Sequence, residues 1–129
     1  MGAKKKVIKV VLDTNVLVSA LLFRSEAAAL FDAWRGVRFR LAVSEPILDE
    51  YERVLEYPKF GLTERETIAI MRQFVLPYCD RFRAPDQPRF CSDHDDDKFI
   101  HCALAADAAA LVGRFRGATA AAGALDAVR

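Results

Sequence analysis

The apolar positions of this chain fall into short runs of two kinds, continuous β-branched stretches and stretches with helical spacing. "KVIKVVLD" is nearly continuous from Val7 to Leu12, as expected of a strand covered on both faces inside a parallel sheet. It ends at Asp13. Thr14 and Asn15 can then cap an apolar helix, "VLVSALLF", which meets no breaker before Arg24 and Ser25. Ser25 opens a second helix, "EAAALFDAW", that stops near Gly36. "FRLAV", Phe39 to Val43, is a second strand, and Ser44 is the N-cap of a helix that tolerates Pro46 in its first turn. That helix places Ile47, Leu48, Tyr51, Val54 and Leu55 on one face and ends by Pro58.

Thr63 and Glu66 form a capping box for the next helix, "ERETIAIMRQFVL", which should stop before Pro77. "DRFRAPDQPRF" is a loop with room for one short strand; the helix "KFIHCALAADA" and a weak strand at Ala110 to Val112 follow. Strand alternating with helix predicts a three-layer α/β/α sandwich around a mostly parallel sheet. With 129 residues, 53% of them apolar, the chain suits a single domain over 1–129. From Gly113 the composition shifts to Ala, Gly and Arg with few large apolar residues. Residues 113–129 are therefore expected to form a divergent tail, with the C-terminal strand missing or altered.

A net charge of +1 gives no global field that would draw the chain to nucleic acid or to a membrane, so any basic surface must be local. Cys79, Cys91 and Cys102 form no CxxC pair and, being odd in number, suit free thiols in a reducing compartment. Lys9, Asp13 and Asn15 interrupt the apolar N-terminal stretch, and no run approaches the roughly 18 apolar residues of a membrane span. The expectation is a cytoplasmic protein with no membrane partner.

Parallel α/β sheets bind ligands beyond the carboxyl ends of their strands, where Asp13 stands. Alone, such an Asp is also an ordinary turn former or cap. Glu50 lies on the flank of its helix, three residues after Ile47 and four before Val54, while Asp49, Glu52 and Glu56 point to water. An ion pair with Arg53 would explain Glu50 equally well. "CSDHDDDKFIHCAL" sets Asp93, Asp95, Asp96 and Asp97 at a helix start, more acids than the first turn can use. A helix beginning near Asp96 puts Asp97 three residues before Ile100 and seven before Leu104, on the border of the buried face. The helical wheel does not separate Asp96 from Asp97. Carboxylates gathered in a cleft either take up protons or bind a cation. An oxygen-only set suits Mg²⁺ or Mn²⁺, and His94 and His101 would permit a softer, mixed site.

"VVLDTNVLVSALL", "LAVSEPILDEYERVL" and "DDDKFIHCALAADA" resemble, in order and spacing, the PIN-domain ribonucleases, in particular bacterial proteins classed as toxin components related to the VapC toxins. The resemblance spans Val7 to Val112. It implies a metal-dependent endoribonuclease hydrolysing phosphodiester bonds of single-stranded RNA, with Asp13, Glu50 and Asp97 as catalytic residues and ligands of Mg²⁺ or Mn²⁺. Asn15 and Ser44 match small polar supporting positions, and Asp96 is a further supporting acid. An antitoxin protein and a homodimer are the implied partners. Arg24, Arg38, Arg40, Arg81, Arg83 and Arg89 are available to the RNA backbone. One departure is that Gly113 and Arg114 stand where the family carries an acidic turn. Arg114 pairing with Asp97 gives the alternative, a weakened PIN-like module that binds RNA or a protein without cleavage. A receiver-type phosphoacceptor domain lacks its Thr and Lys here.

Overall fold

A computed structural model describes residues 7–23, 27–83 and 94–113. Its strands are β1 (Lys9–Leu12), β2 (Arg40–Val43), β3 (Cys79–Arg81) and β4 (Ala110–Val112). The helices are α1 (Thr14–Leu22), α2 (Ala28–Arg35), α3 (Glu45–Leu55), α4 (Glu64–Ile70) and α5 (His94–Ala106). All neighbouring strands pair in parallel, in the order β3-β2-β1-β4. The chain lays β1, β2 and β3 side by side, then returns across the sheet to set β4 on the other edge of β1. The helices of the outward path pack on one another, α1 on α2 and α3, while α5, on the return, packs on β1, β2 and β4; with the right-handed crossovers usual between parallel strands this gives the three expected layers. The place where the path reverses, between β1 and β4, is where such sheets open a crevice at their carboxyl end.

The β-branched run of β1 is what this topology requires, since Val11 and Leu12 are fully buried and Val10 nearly so. Leu41, Ala42 and Val43 of β2 are equally inaccessible. The α3 stripe behaves as spaced: Ile47, Leu48, Tyr51 and Leu55 are buried, and α3 packs along α1. Both bonds of the capping box at Thr63 and Glu66 are made. The helix it starts is shorter than expected, passing into a π-helical turn at Met71–Val75 and a 3₁₀ turn at Leu76–Tyr78. Pro77 cannot donate to the helical ladder, and the side chain of buried Trp34 covers the altered turn, its Nε1–H donating to the carbonyl of Phe74 at 2.8 Å.

β3 is the one short strand allowed for the "DRFRAPDQPRF" region, beginning slightly earlier, at Cys79. The start of the second helix at Ser25, Cys91, and the tail from residue 114 lie outside the described residues. Among the described residues no helix is long and apolar enough to cross a membrane.

Candidate active site

Asp13 follows β1 directly and is tied into both flanking elements. Its backbone N–H donates to the carbonyl of Val112 on β4 at 2.9 Å, and its Oδ1 accepts from the N–H of Val16 at 2.8 Å, making it the N-cap of α1. The expected cap at Thr14 or Asn15 is thereby corrected. Asp13 is the residue still in extended geometry, with an acceptor three positions before an open helical N–H. Thr14 begins the helix and turns its hydroxyl outward, donating to Oε2 of Glu50 on α3. Asp13 is 8% exposed. Gly113, just beyond β4, has a φ of +151° and presses so closely that a Cβ there would stand 2.2 Å from Asp13 Oδ2.

Glu50 sits on the flank of α3 as its spacing indicates, with its side chain 15% exposed. Its Oε1 receives Lys98 Nζ of α5 at 2.6 Å and Arg53 at 3.6 Å. The Arg53 pairing weighed from sequence is therefore present but secondary, and the closer cation comes from the neighbour of Asp97. Tyr51 fixes α3 against the end of β1, donating its buried hydroxyl to the carbonyl of Leu12 at 2.5 Å. Burial pushes the Tyr51 phenol well above its ordinary value, with Cys102 and then Asp13 among the nearby groups that add to the rise.

A cleft of about 620 Å³ opens over these groups. Its acidic walls are Asp13, Glu50 and Asp96, with Thr14, Asn15 and Ser19 as neutral polar neighbours and Arg53 and Lys59 as the basic ones. Asp97, one position further along the first turn of α5, is buried to 6% exposure and is not part of that lining. Of the two acids the wheel could not separate, Asp96 thus reaches the cleft wall and Asp97 the interior beside it. Ser44 caps α3 by position without a side-chain cap bond and is buried away from the lining. His101 is half-buried on α5; Asp93 and the side chains of His94 and Asp95 lie outside the described residues, as do Arg24, Arg89 and Arg114.

Among the described residues, the arginines offered for RNA are engaged or placed elsewhere. Arg40 starts β2, at the opposite end of the sheet, and binds Asp80 and the carbonyl of Cys79; Arg81 pairs with Glu45 at 3.0 Å. Arg38 and Arg83 are exposed but do not line the cleft. Lys98, Thr14, Gly113 and Lys59 were not legible as site residues in the sequence. Only the position of Lys98 directly after the acidic run hinted at an internal counter-charge.

In kind, the donors fit a hard divalent ion, because carboxylate and hydroxyl oxygens line the cleft and, among the described residues, no thiol or imidazole does. In arrangement, Glu50 is held by Lys98, and among the described residues no three acid, His or Cys side chains are gathered closely enough to hold an ion together. A protein-family model described as PIN domain matches residues 9–114, so the chain belongs to the PIN-domain family. Membership generally implies nuclease activity, and PIN domains typically use divalent metal ions. No curated protein and no solved structure gives a match.

Proposed function

We propose that this protein is a metal-dependent endoribonuclease that hydrolyses phosphodiester bonds of single-stranded RNA, with Mg²⁺ or Mn²⁺ as its ion. The observation that carries the reading is the convergence of Asp13, Glu50 and Asp96 on one cleft at the topological switch of a parallel sheet. Asp13 and the acids opening α5, Asp96 and Asp97, would hold the ion, and Glu50 would complete the set once Lys98 releases it. When bound, a divalent ion supplies Lewis acidity toward a phosphodiester oxygen and toward water. The chain's own residues do the rest. Gly113 and the Val16 N–H keep the Asp13 carboxylate in one orientation, Thr14 orients Glu50, and Arg53 and Lys59 on the cleft wall neutralise the strand's phosphates. Asn15, exposed on the same wall, can donate to the strand.

The direct test is incubation with single-stranded RNA in Mn²⁺ or Mg²⁺, with EDTA and Asp13→Asn as controls. Cleavage should require the ion and fall by at least about a hundredfold in Asp13→Asn. Cleavage that survives the substitution would dismiss the site. A toxin role in a toxin–antitoxin pair, with a cytoplasmic location and a homodimer, belongs to the same proposal and rests on the sequence resemblance. Growth arrest on induction, absent in Asp13→Asn, would support it.

One observation favours a second reading. Glu50 is already neutralised by Lys98 at 2.6 Å and assisted by Arg53, which suits a PIN module that binds RNA or a protein without cutting. An intact protein that binds RNA yet takes up no Mn²⁺ would select it.

A further inference from the structure

The cleft has two chemically different ends. Thr14, Val18 and Ser19 of α1, with Phe23 after it, face Glu50, Arg53 and Val54 of α3, with Tyr57 after that; both sets follow the three- and four-residue spacing of one helical face. The cleft therefore runs along the seam between two packed helices. Asp13 stands at one end and Phe23, ten residues on, roughly 15 Å away along the helix.

At that far end the surface is aromatic and wet. Phe23 is 52% exposed and Tyr57 42% exposed, two of the few large apolar residues so open among the described residues. Phe60 meets Phe23 at 6.1 Å between ring centroids with the planes tilted by 56°, and Lys59 Nζ lies 5.1 Å from the centre of the Phe60 ring. An open ring costs hydrophobic free energy unless something covers it. Planar rings beside cations, continuous with a polar cleft, match the pairing of base faces with aromatics and phosphates with basic groups that holds single strands.

We propose that Phe23, Tyr57 and Phe60 form a stacking subsite for an unpaired nucleobase of a single strand whose backbone runs past Lys59 and Arg53 toward the carboxylates. The subsite rests on the nuclease reading of the cleft and adds to it a reason for preferring single strands, since a base within a duplex has its faces covered by its stacked neighbours and has none to offer a ring wall.

The test is fluorescence anisotropy of a short labelled RNA with the full chain, in EDTA at low salt so that binding is read without cleavage. Strands of the same sequence in DNA, as a duplex, and with abasic sites serve as comparison arms. Tyr57→Ala and Phe23→Ala, both at exposed positions, should each weaken single-stranded binding about tenfold, with Tyr57→Phe within about twofold of wild type. The abasic strand should bind wild type and variants alike, and the duplex weakly. Comparable binding of the DNA strand would place the recognition in the base rather than the sugar. Unchanged affinity in both alanine variants, equal weakening on the abasic strand, or no binding by wild type overturns the subsite. So does a wild-type dimer that both variants convert to monomer while RNA affinity stays constant, because the rings would then cover one another between copies. Base-dependent binding by a protein that never cleaves would refute the nuclease reading and leave the subsite standing.

Discussion

At the residue scale, how a carboxylate is held matters more than how many are present. Asp13 is fixed by the Val16 N–H on one oxygen and crowded by Gly113 at the other. Gly113→Ala should therefore displace Asp13, because the new methyl would meet Oδ2 at 2.2 Å and must also adopt a φ of +151°. The expected outcome is a loss of about 1–3 kcal/mol in stability together with loss of the proposed RNA cleavage, read by denaturant melts and by incubation with single-stranded RNA. Gly113→Ala protein with stability and cleavage equal to wild type would show that the contact has no role. Much of this was written in the sequence and some was not. Asp13 at a strand end and Glu50 on a helix flank follow from period and position. Lys98 and Thr14 do not, because their partnership with Glu50 depends on how far α5 and α1 lean toward α3, which no local pattern encodes. The helical wheel leaves Asp96 and Asp97 unseparated and the resemblance assigns the ligand role to Asp97; α5 begins at His94, so both acids sit in its first turn, with Asp96 on the cleft wall and Asp97 buried.

At the element scale, two helices end in the same way with different fitness for it. After α2, the Val37 N–H reaches the carbonyl of Trp34 at 3.1 Å and the Arg38 N–H that of Ala33 at 3.0 Å. After α5, Asp107 and Ala108 repeat the pattern onto Leu104 and Ala103. These are Schellman closures, which need a left-handed residue, supplied by Val37 at φ 56° and Asp107 at φ 52°. Aspartate tolerates that region; a β-branched valine does not. Val37→Gly should accordingly stabilise the fold by about 1 kcal/mol, seen as a raised thermal midpoint, and a lowered midpoint would contradict it. The sequence predicts that α2 stops near Gly36. The stop was right to within a residue, and the strained position is the next one, since glycine signals the neighbourhood of a helix end more reliably than its register. β4, read as a weak strand, forms at Ala110–Val112 because it pairs along the whole of its length with β1, a tertiary gain that outweighs its poor local signal. The spacing predicts a regular helix that stops just before Pro77, but its regular part ends at Ile70, because a proline effect of this kind reaches back over the preceding turn.

At the scale of the whole molecule, the parallel sheet and its reversal between β1 and β4 decide where chemistry can occur; alternating strand and helix patterns were enough to anticipate the sheet, whereas the reversal depends on β4 pairing with β1, which no local pattern encodes. The same topology buries two protonated groups, Tyr51 at the carboxyl end of β1 and Cys102 on α5. Tyr51 is held well above its ordinary 10.0, chiefly by burial, and burial pushes the Cys102 thiol from 9.0 up to about 12. Both are neutral when protonated, so above about pH 9 the unfolded chain releases protons that the native state retains. Stability should be full below that pH and fall as pH rises through the range, and Tyr51→Phe should lessen the slope above about pH 10. Equal slopes for wild type and Tyr51→Phe in thermal melts would contradict it. The central claim, that distant acids share a hard cation at this switch point, is tested most directly by calorimetric titration of the intact protein with Mn²⁺. Wild type and the outward-facing control Asp49→Asn should take up the ion with like affinity, whereas Asp13→Asn, which keeps the helix cap, should fold normally and bind at least about tenfold more weakly. Mn²⁺ uptake undiminished in Asp13→Asn, or none in a folded wild type, would contradict the account.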